Sequence, residues 1–130
     1  MPVGILLVSH EGFGRATLDV ARRLLGALPL PTGAFEADWD RDVDAQLPAA
    51  SAALRRVDGG DGVLMLVDLY GATPSRLAAR LAQLGTPARR VAGLSVPMLL
   101  RVQNYPEQPL EELARTAAAG ARNGVVLDDA

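Results

Sequence analysis

Val3-Gly4-Ile5-Leu6-Leu7-Val8-Ser9-His10 is the stretch on which the fold turns. Apart from Gly4, every position before Ser9 is apolar, the composition of a strand covered on both faces. It ends in the only histidine of the 130 residues. A second run of the same kind, Val63-Leu64-Met65-Leu66-Val67, leads straight into Asp68. If the two are parallel neighbours in an open α/β sheet, their carboxyl ends face the crevice where such sheets place ligands. His10 and Asp68 are then expected to meet and share a proton.

Outward from these runs, strand and helix signals alternate. After Glu11-Gly12-Phe13-Gly14, residues Leu18, Ala21, Leu25 and Leu28 recur at helical spacing, and Gly26 with Pro29 closes that helix. Residues 33–38 read as a weaker, more polar strand near a sheet edge, with Trp39 exposed just beyond it. Leu47, Ala50, Leu54 and Val57 form the next apolar stripe, and Asp42 and Asp44 precede it, where a helix N-terminus favours negative charge. Pro48 is expected in or near the first turn, because farther inside it would remove a hydrogen bond and clash.

Asp68-Leu69-Tyr70-Gly71-Ala72-Thr73-Pro74-Ser75 leads into a helix carrying Leu77, Leu81 and Leu84. Thr73 reads as its N-cap and Pro74 as its first helical residue, where a missing N–H costs nothing. A fourth strand over 90–94, a short helix from Pro97 to Val102 and a last helix over 110–119 before Gly120 follow. Val125-Val126-Leu127 suffices for one short edge strand. The alternation predicts an α/β fold, an open, mostly parallel sheet with helices on both faces. The length fits a single domain over residues 1–130.

Charge and composition narrow the function. With 13 basic against 15 acidic residues there is no basic field for a nucleic acid or an anionic membrane. Every basic residue is arginine, and lysine and cysteine are absent, which excludes disulfides, thiol nucleophiles, Schiff bases and thiolate metal sites. No apolar run approaches membrane-spanning length, and no basic segment precedes the first run as in a signal peptide. A soluble cytoplasmic protein without membrane insertion is expected.

A phosphoryl acceptor at neutral pH needs an unprotonated ring nitrogen, the right tautomer and a landing place for negative charge. His10 supplies the nucleophile, and Asp68 can fix the tautomer through the other ring nitrogen. The free N–H groups at the Thr73-Pro74-Ser75 helix start can hold phosphate oxygens, with the Thr73 and Ser75 hydroxyls as further donors and Gly71 allowing close backbone approach.

Each feature also has an ordinary explanation. A lone histidine near a strand end is usually half-buried and structural, and an aspartate at a strand-to-helix junction is commonly a turn residue. Met65 and Met98 read as core packing, and Arg15, Arg76 and Arg101 as solvated helix faces. Their convergence on one sheet edge is what points to a site. A serine hydrolase fails because Ser9 and His10, adjacent in a strand, point to opposite faces. A phospho-aspartate receiver lacks its lysine, and no G-x-x-x-x-G-K-[ST] loop is present.

Val8-Ser9-His10, then Asp68-Leu69-Tyr70-Gly71-Ala72-Thr73-Pro74, then Val96-Pro97-Met98-Leu99-Leu100 resemble, in order and spacing, enzyme IIA of the mannose family of the bacterial phosphotransferase system. The resemblance spans roughly residues 2–128. It implies four parallel strands in the order 2-1-3-4 plus an antiparallel edge strand. It further implies a phosphohistidine on His10, taken from the histidine phosphocarrier protein and passed to a IIB partner, with Asp68 as orienting carboxylate. Thr73 and its neighbours Gly71, Ala72 and Ser75 match the phosphate-binding helix start; neither metal nor cofactor is implied. A homodimer is implied too, in which Val125 to Leu127 could be exchanged between subunits.

Glu11 stands where glycine is common in the family, and Ala72 replaces a frequent glycine. No linker to a IIB domain follows before Ala130, so a separate acceptor, or none, is expected. The alternative is a regulatory module of an incomplete phosphotransferase system, whose phosphorylation state controls a protein partner. A relay subunit of a dihydroxyacetone kinase fits Gly71-Ala72-Thr73-Pro74 less well.

Overall fold

A computed structural model describes residues 2–128. Four strands, β1 (Gly4–His10), β2 (Thr32–Ala37), β3 (Val63–Val67) and β4 (Ala88–Ala92), form one parallel sheet in the order β2-β1-β3-β4. The helices are α1 (Gly14–Leu25), α2 (Val43–Val57), α3 (Thr73–Leu81), α4 (Val96–Gln103) and α5 (Leu110–Asn123).

Alternation along the two central strands builds a core on each side. Ile5, Leu7, Leu64 and Leu66 pack with Leu18 and Ala21 of α1, Met98, Leu99 and Val102 of α4, and Leu113 and Ala117 of α5. Leu6, Val8, Val63, Met65 and Val67 face α2 and α3 through Ala50, Ala53, Leu54, Leu77, Ala78 and Leu81. A leucine buried this completely contributes about 1.5–3 kcal/mol, so the uninterrupted apolar runs place β1 and β3 at the centre. Met65 and Met98 are fully buried, as expected.

Several boundaries differ from the sequence expectation. Pro48 lies in the second turn of α2, because the Asp42 carboxylate accepts from the Ala45 N–H at 2.8 Å and starts the helix at Val43. The fourth strand starts at Ala88 rather than residue 90, since Val63 pairs with Ala88, and it ends at Ala92. Leu25 and Leu84 are 39% and 55% exposed; one is the last residue of α1 and the other lies beyond α3, so neither reaches the core.

The last helix runs through Gly120 instead of stopping there, because that glycine packs against α4: a Cβ on it would sit 2.6 Å from Arg101 Cβ. Arg101 is accordingly half-buried rather than solvated. Val125-Val126-Leu127 forms no strand; the three residues are 82%, 78% and 89% exposed, and no antiparallel edge strand exists among the described residues. A tail that pairs with no strand edge has nothing to order it as a strand. No helix among those residues is long and apolar enough to cross a membrane.

Candidate functional site

The β1–β3 pairing, Val8 opposite Val67, brings the residues that follow to the same carboxyl edge. The Asp68 N–H continues the ladder to the Val8 carbonyl at 3.3 Å. There His10 and Asp68 meet. Asp68 Oδ2 lies 2.7 Å from His10 Nδ1 and also accepts the His10 backbone N–H at 2.8 Å, while Oδ1 accepts the Leu69 N–H at 2.9 Å. The side chains of His10 and Asp68 are 20% and 12% exposed. A carboxylate oxygen accepts, so this contact selects the tautomer with the proton on Nδ1, in which Nε2 carries the lone pair.

Ser9 confirms the strand alternation that argued against a serine nucleophile. It is fully buried, and its hydroxyl donates to the His10 carbonyl at 2.8 Å and accepts the Gly14 N–H at 2.8 Å. The second bond ties the loop after His10 to the start of α1. A Cβ on residue 14 would approach Ser9 Oγ to 2.6 Å, which requires glycine there.

The start of α3 follows Asp68 directly, but not as a threonine cap. Ala72 is the N-cap, extended and without a side-chain cap, and its carbonyl accepts the Arg76 N–H at 3.1 Å. Thr73 is already helical, which points its hydroxyl away from the capping position. The Thr73 and Ser75 N–H groups precede that first intrahelical bond, and Pro74 between them has none to offer. Gly71 turns the chain into this start at φ +86°, a conformation that L side chains rarely adopt.

Arg76, expected to be a solvated helix residue, is exposed but folds back, donating to the Gly71 carbonyl at 3.1 Å and Thr73 Oγ1 at 3.0 Å. Its spacing of one helical turn from Thr73 was the available signal. Ser75 is buried, on the first turn of α3, and with Val67, Tyr70 and Ala92 lines a cavity of about 290 Å³ toward β4. The contact made by Trp39 was not foreseen from the sequence. Its indole stacks on the His10 imidazole, ring centroids 4.5 Å apart and planes 25° from parallel. The signal was positional: residue 39 follows a strand that lies beside the strand ending in His10.

An open α/β sheet with a carboxylate-paired imidazole and a helix start at one edge defines a class of small doubly wound proteins whose candidate site lies at the carboxyl ends of the strands. Residues 4–117 match the family model described as PTS system fructose IIA component, EIIA-man. The chain belongs to this family, the mannose-type IIA components of the phosphotransferase system. It is 26% identical over 127 residues to the PTS system mannose-specific EIIAB component of Escherichia coli (strain K12), covering 96% of this chain but 39% of that protein. The chain thus spans well under half the length of that relative.

Among solved structures, the mannose/sorbose specific IIA subunit of the phosphotransferase system from Enterococcus faecalis has a TM-score of 0.86 at 24% identity, covering 100% of this chain and 97% of that one. Phosphotransferase system component EIIA from Streptococcus agalactiae has a TM-score of 0.80 at 19% identity, covering 96% of each chain. These two likenesses establish the fold.

Proposed function

We propose that the chain is a phosphohistidine carrier. His10 Nε2 accepts a phosphoryl group from the histidine phosphocarrier protein and passes it to a IIB acceptor in sugar uptake. The observation that carries this reading is the 2.7 Å contact between His10 Nδ1 and Asp68, which leaves Nε2 as the nucleophile. In the first transfer the Nε2 lone pair forms the new N–P bond as the donor's P–N bond breaks and its electron pair returns to the donor nitrogen. The second transfer repeats this with His10 as the leaving group. No proton need leave Nδ1 in either step.

Gly71, Ala72, Thr73 and Ser75 form the landing place for the phosphoryl oxygens. The Thr73 and Ser75 N–H groups and the Thr73 hydroxyl are the donors, at the positive end of the α3 dipole. The Arg76 guanidinium beside them adds a full positive charge. Family membership supports both partners and a cytoplasmic location. The exposed Val125-Val126-Leu127 supports a homodimer in which this tail is covered by the second copy.

The test is incubation with phosphoenolpyruvate, enzyme I and the histidine phosphocarrier protein, followed by intact mass. One acid-labile phosphoryl group is expected on the wild type and none on His10→Ala. A wild type that stays unmodified, or a His10→Ala protein that keeps the label, overturns the reading.

A further inference from the structure

Trp39 is 67% exposed, so the core does not hold it. Its packing partner is the His10 ring. The placement is built from both sides. The parallel register sets His10 opposite Ala37, so the segment leaving β2 passes beside the imidazole. That segment is stapled by Gln46, which is 3% exposed on α2. Gln46 Oε1 accepts the Asp38 N–H at 2.7 Å, and Nε2 donates to the Asp38 carbonyl at 3.2 Å and the Arg41 carbonyl at 2.9 Å. Asp38 Oδ1 accepts the Asp40 N–H at 2.9 Å. Bonds on both sides of residue 39 therefore fix the backbone from which the indole projects.

We propose that Trp39 is a positioning residue for phosphoryl transfer, its indole clamping the face of the His10 imidazole while Asp68 holds the edge. The role rests on the carrier function proposed above. One hydrogen bond at Nδ1 tolerates a swing of the ring, because the torsion between Cβ and an aromatic ring is broad and hydrogen-bond angles are forgiving. A flat partner at 4.5 Å removes that freedom, since tilting drives one edge of the imidazole into the indole. The Nε2 lone pair lies in the ring plane, so a clamp on the face leaves the line of attack on phosphorus open. The two contacts are complementary. Asp68 chooses the nitrogen and Trp39 holds the direction in which it points, and misdirected reactants lose rate steeply.

The test compares wild type, Trp39→Phe and Trp39→Ala in single-turnover transfer from the phosphorylated histidine phosphocarrier protein, with NMR of the His10 ring protons. Trp39→Ala is expected to lower the rate at saturating donor by roughly two- to tenfold, the range that the strength of an aromatic pair implies. Donor half-saturation should hold, and Trp39→Phe should restore most of the rate. The upfield ring-current shift of the His10 protons should vanish in Trp39→Ala and persist in Trp39→Phe. A wild-type saturating rate in Trp39→Ala overturns the role, as does a loss confined to half-saturation, a failure of phenylalanine to rescue, or unmoved ring protons. If the wild type itself accepts no phosphoryl group, the carrier function fails and the role with it, a result distinct from normal transfer by Trp39→Ala.

Discussion

Asp68 Oδ2 accepts both the backbone N–H and the ring Nδ1–H of His10, at 2.8 and 2.7 Å, so one carboxylate oxygen fixes the end of β1 and the tautomer of its terminal side chain. Orientation and local structure are thereby coupled. A substitution that disturbs one must disturb the other.

Asp68→Ala should therefore lose stability as well as rate. It strands the His10 and Leu69 N–H groups, at a cost of about 1–3 kcal/mol. Losing a bond between the ring and a charged partner should slow phosphoryl transfer by roughly 10- to 100-fold. Asp68→Asn, which keeps a carbonyl acceptor, should recover more stability than rate. Urea denaturation beside single-turnover transfer checks both, and an Asp68→Ala protein equal to wild type in each would remove the carboxylate from the site.

Thr73→Ala should separate cap from phosphate donor cleanly, since Ala72 and not Thr73 is the N-cap. Stability should stay within about 0.5 kcal/mol of wild type. The phosphoryl equilibrium with the donor should shift back by roughly tenfold, the loss of one bond to a charged group. A lower melting temperature with an unmoved equilibrium would mean that backbone N–H groups alone hold the phosphate.

Pro48→Ala should stabilise the protein. Pro48 is exposed in the second turn of α2 and offers no N–H to the Asp44 carbonyl one turn earlier. Restoring that bond gains up to about 3 kcal/mol, offset by about 0.4–1 kcal/mol from the freer unfolded chain. A higher urea midpoint at constant slope is the expected result; a lower one would show that the helix has already absorbed the proline.

Gly120→Ala sets helix propensity against packing. Alanine gains about 1 kcal/mol in a helix interior, but its Cβ would lie 2.6 Å from Arg101 Cβ and 2.9 Å from Arg101 Cγ. The stem so close to the backbone cannot swing away as a side-chain end would. Overpacking costs about 1–3 kcal/mol, so net destabilisation is expected, read as a lower melting temperature, with phosphoryl transfer unchanged.

The sequence by itself determined the centre of the molecule. Apart from Gly4, Val3 to Val8 and Val63 to Val67 are apolar without alternation, and such runs are stable only when covered on both sides, so both had to be inner strands; that they pair with each other, bringing His10 and Asp68 to one edge, is shown by their register in the sheet. The helix starts were less legible. Thr73 before a proline looks like a cap, and only the path of the loop from Gly71, set by that residue's positive φ, makes Ala72 the cap instead. Gly120 looked like a stop because glycine disfavours helices locally, whereas close approach of α4 makes it the residue that fits. The stack of Trp39 on His10 was decided by tertiary structure alone. Two residues far apart in sequence meet there through the register of β1 with β2 and the Gln46 staple, and neither leaves a period or motif in the chain. Local patterns record what each segment buries, but which loop end faces which is fixed by strand order, the result of all the segments packing together.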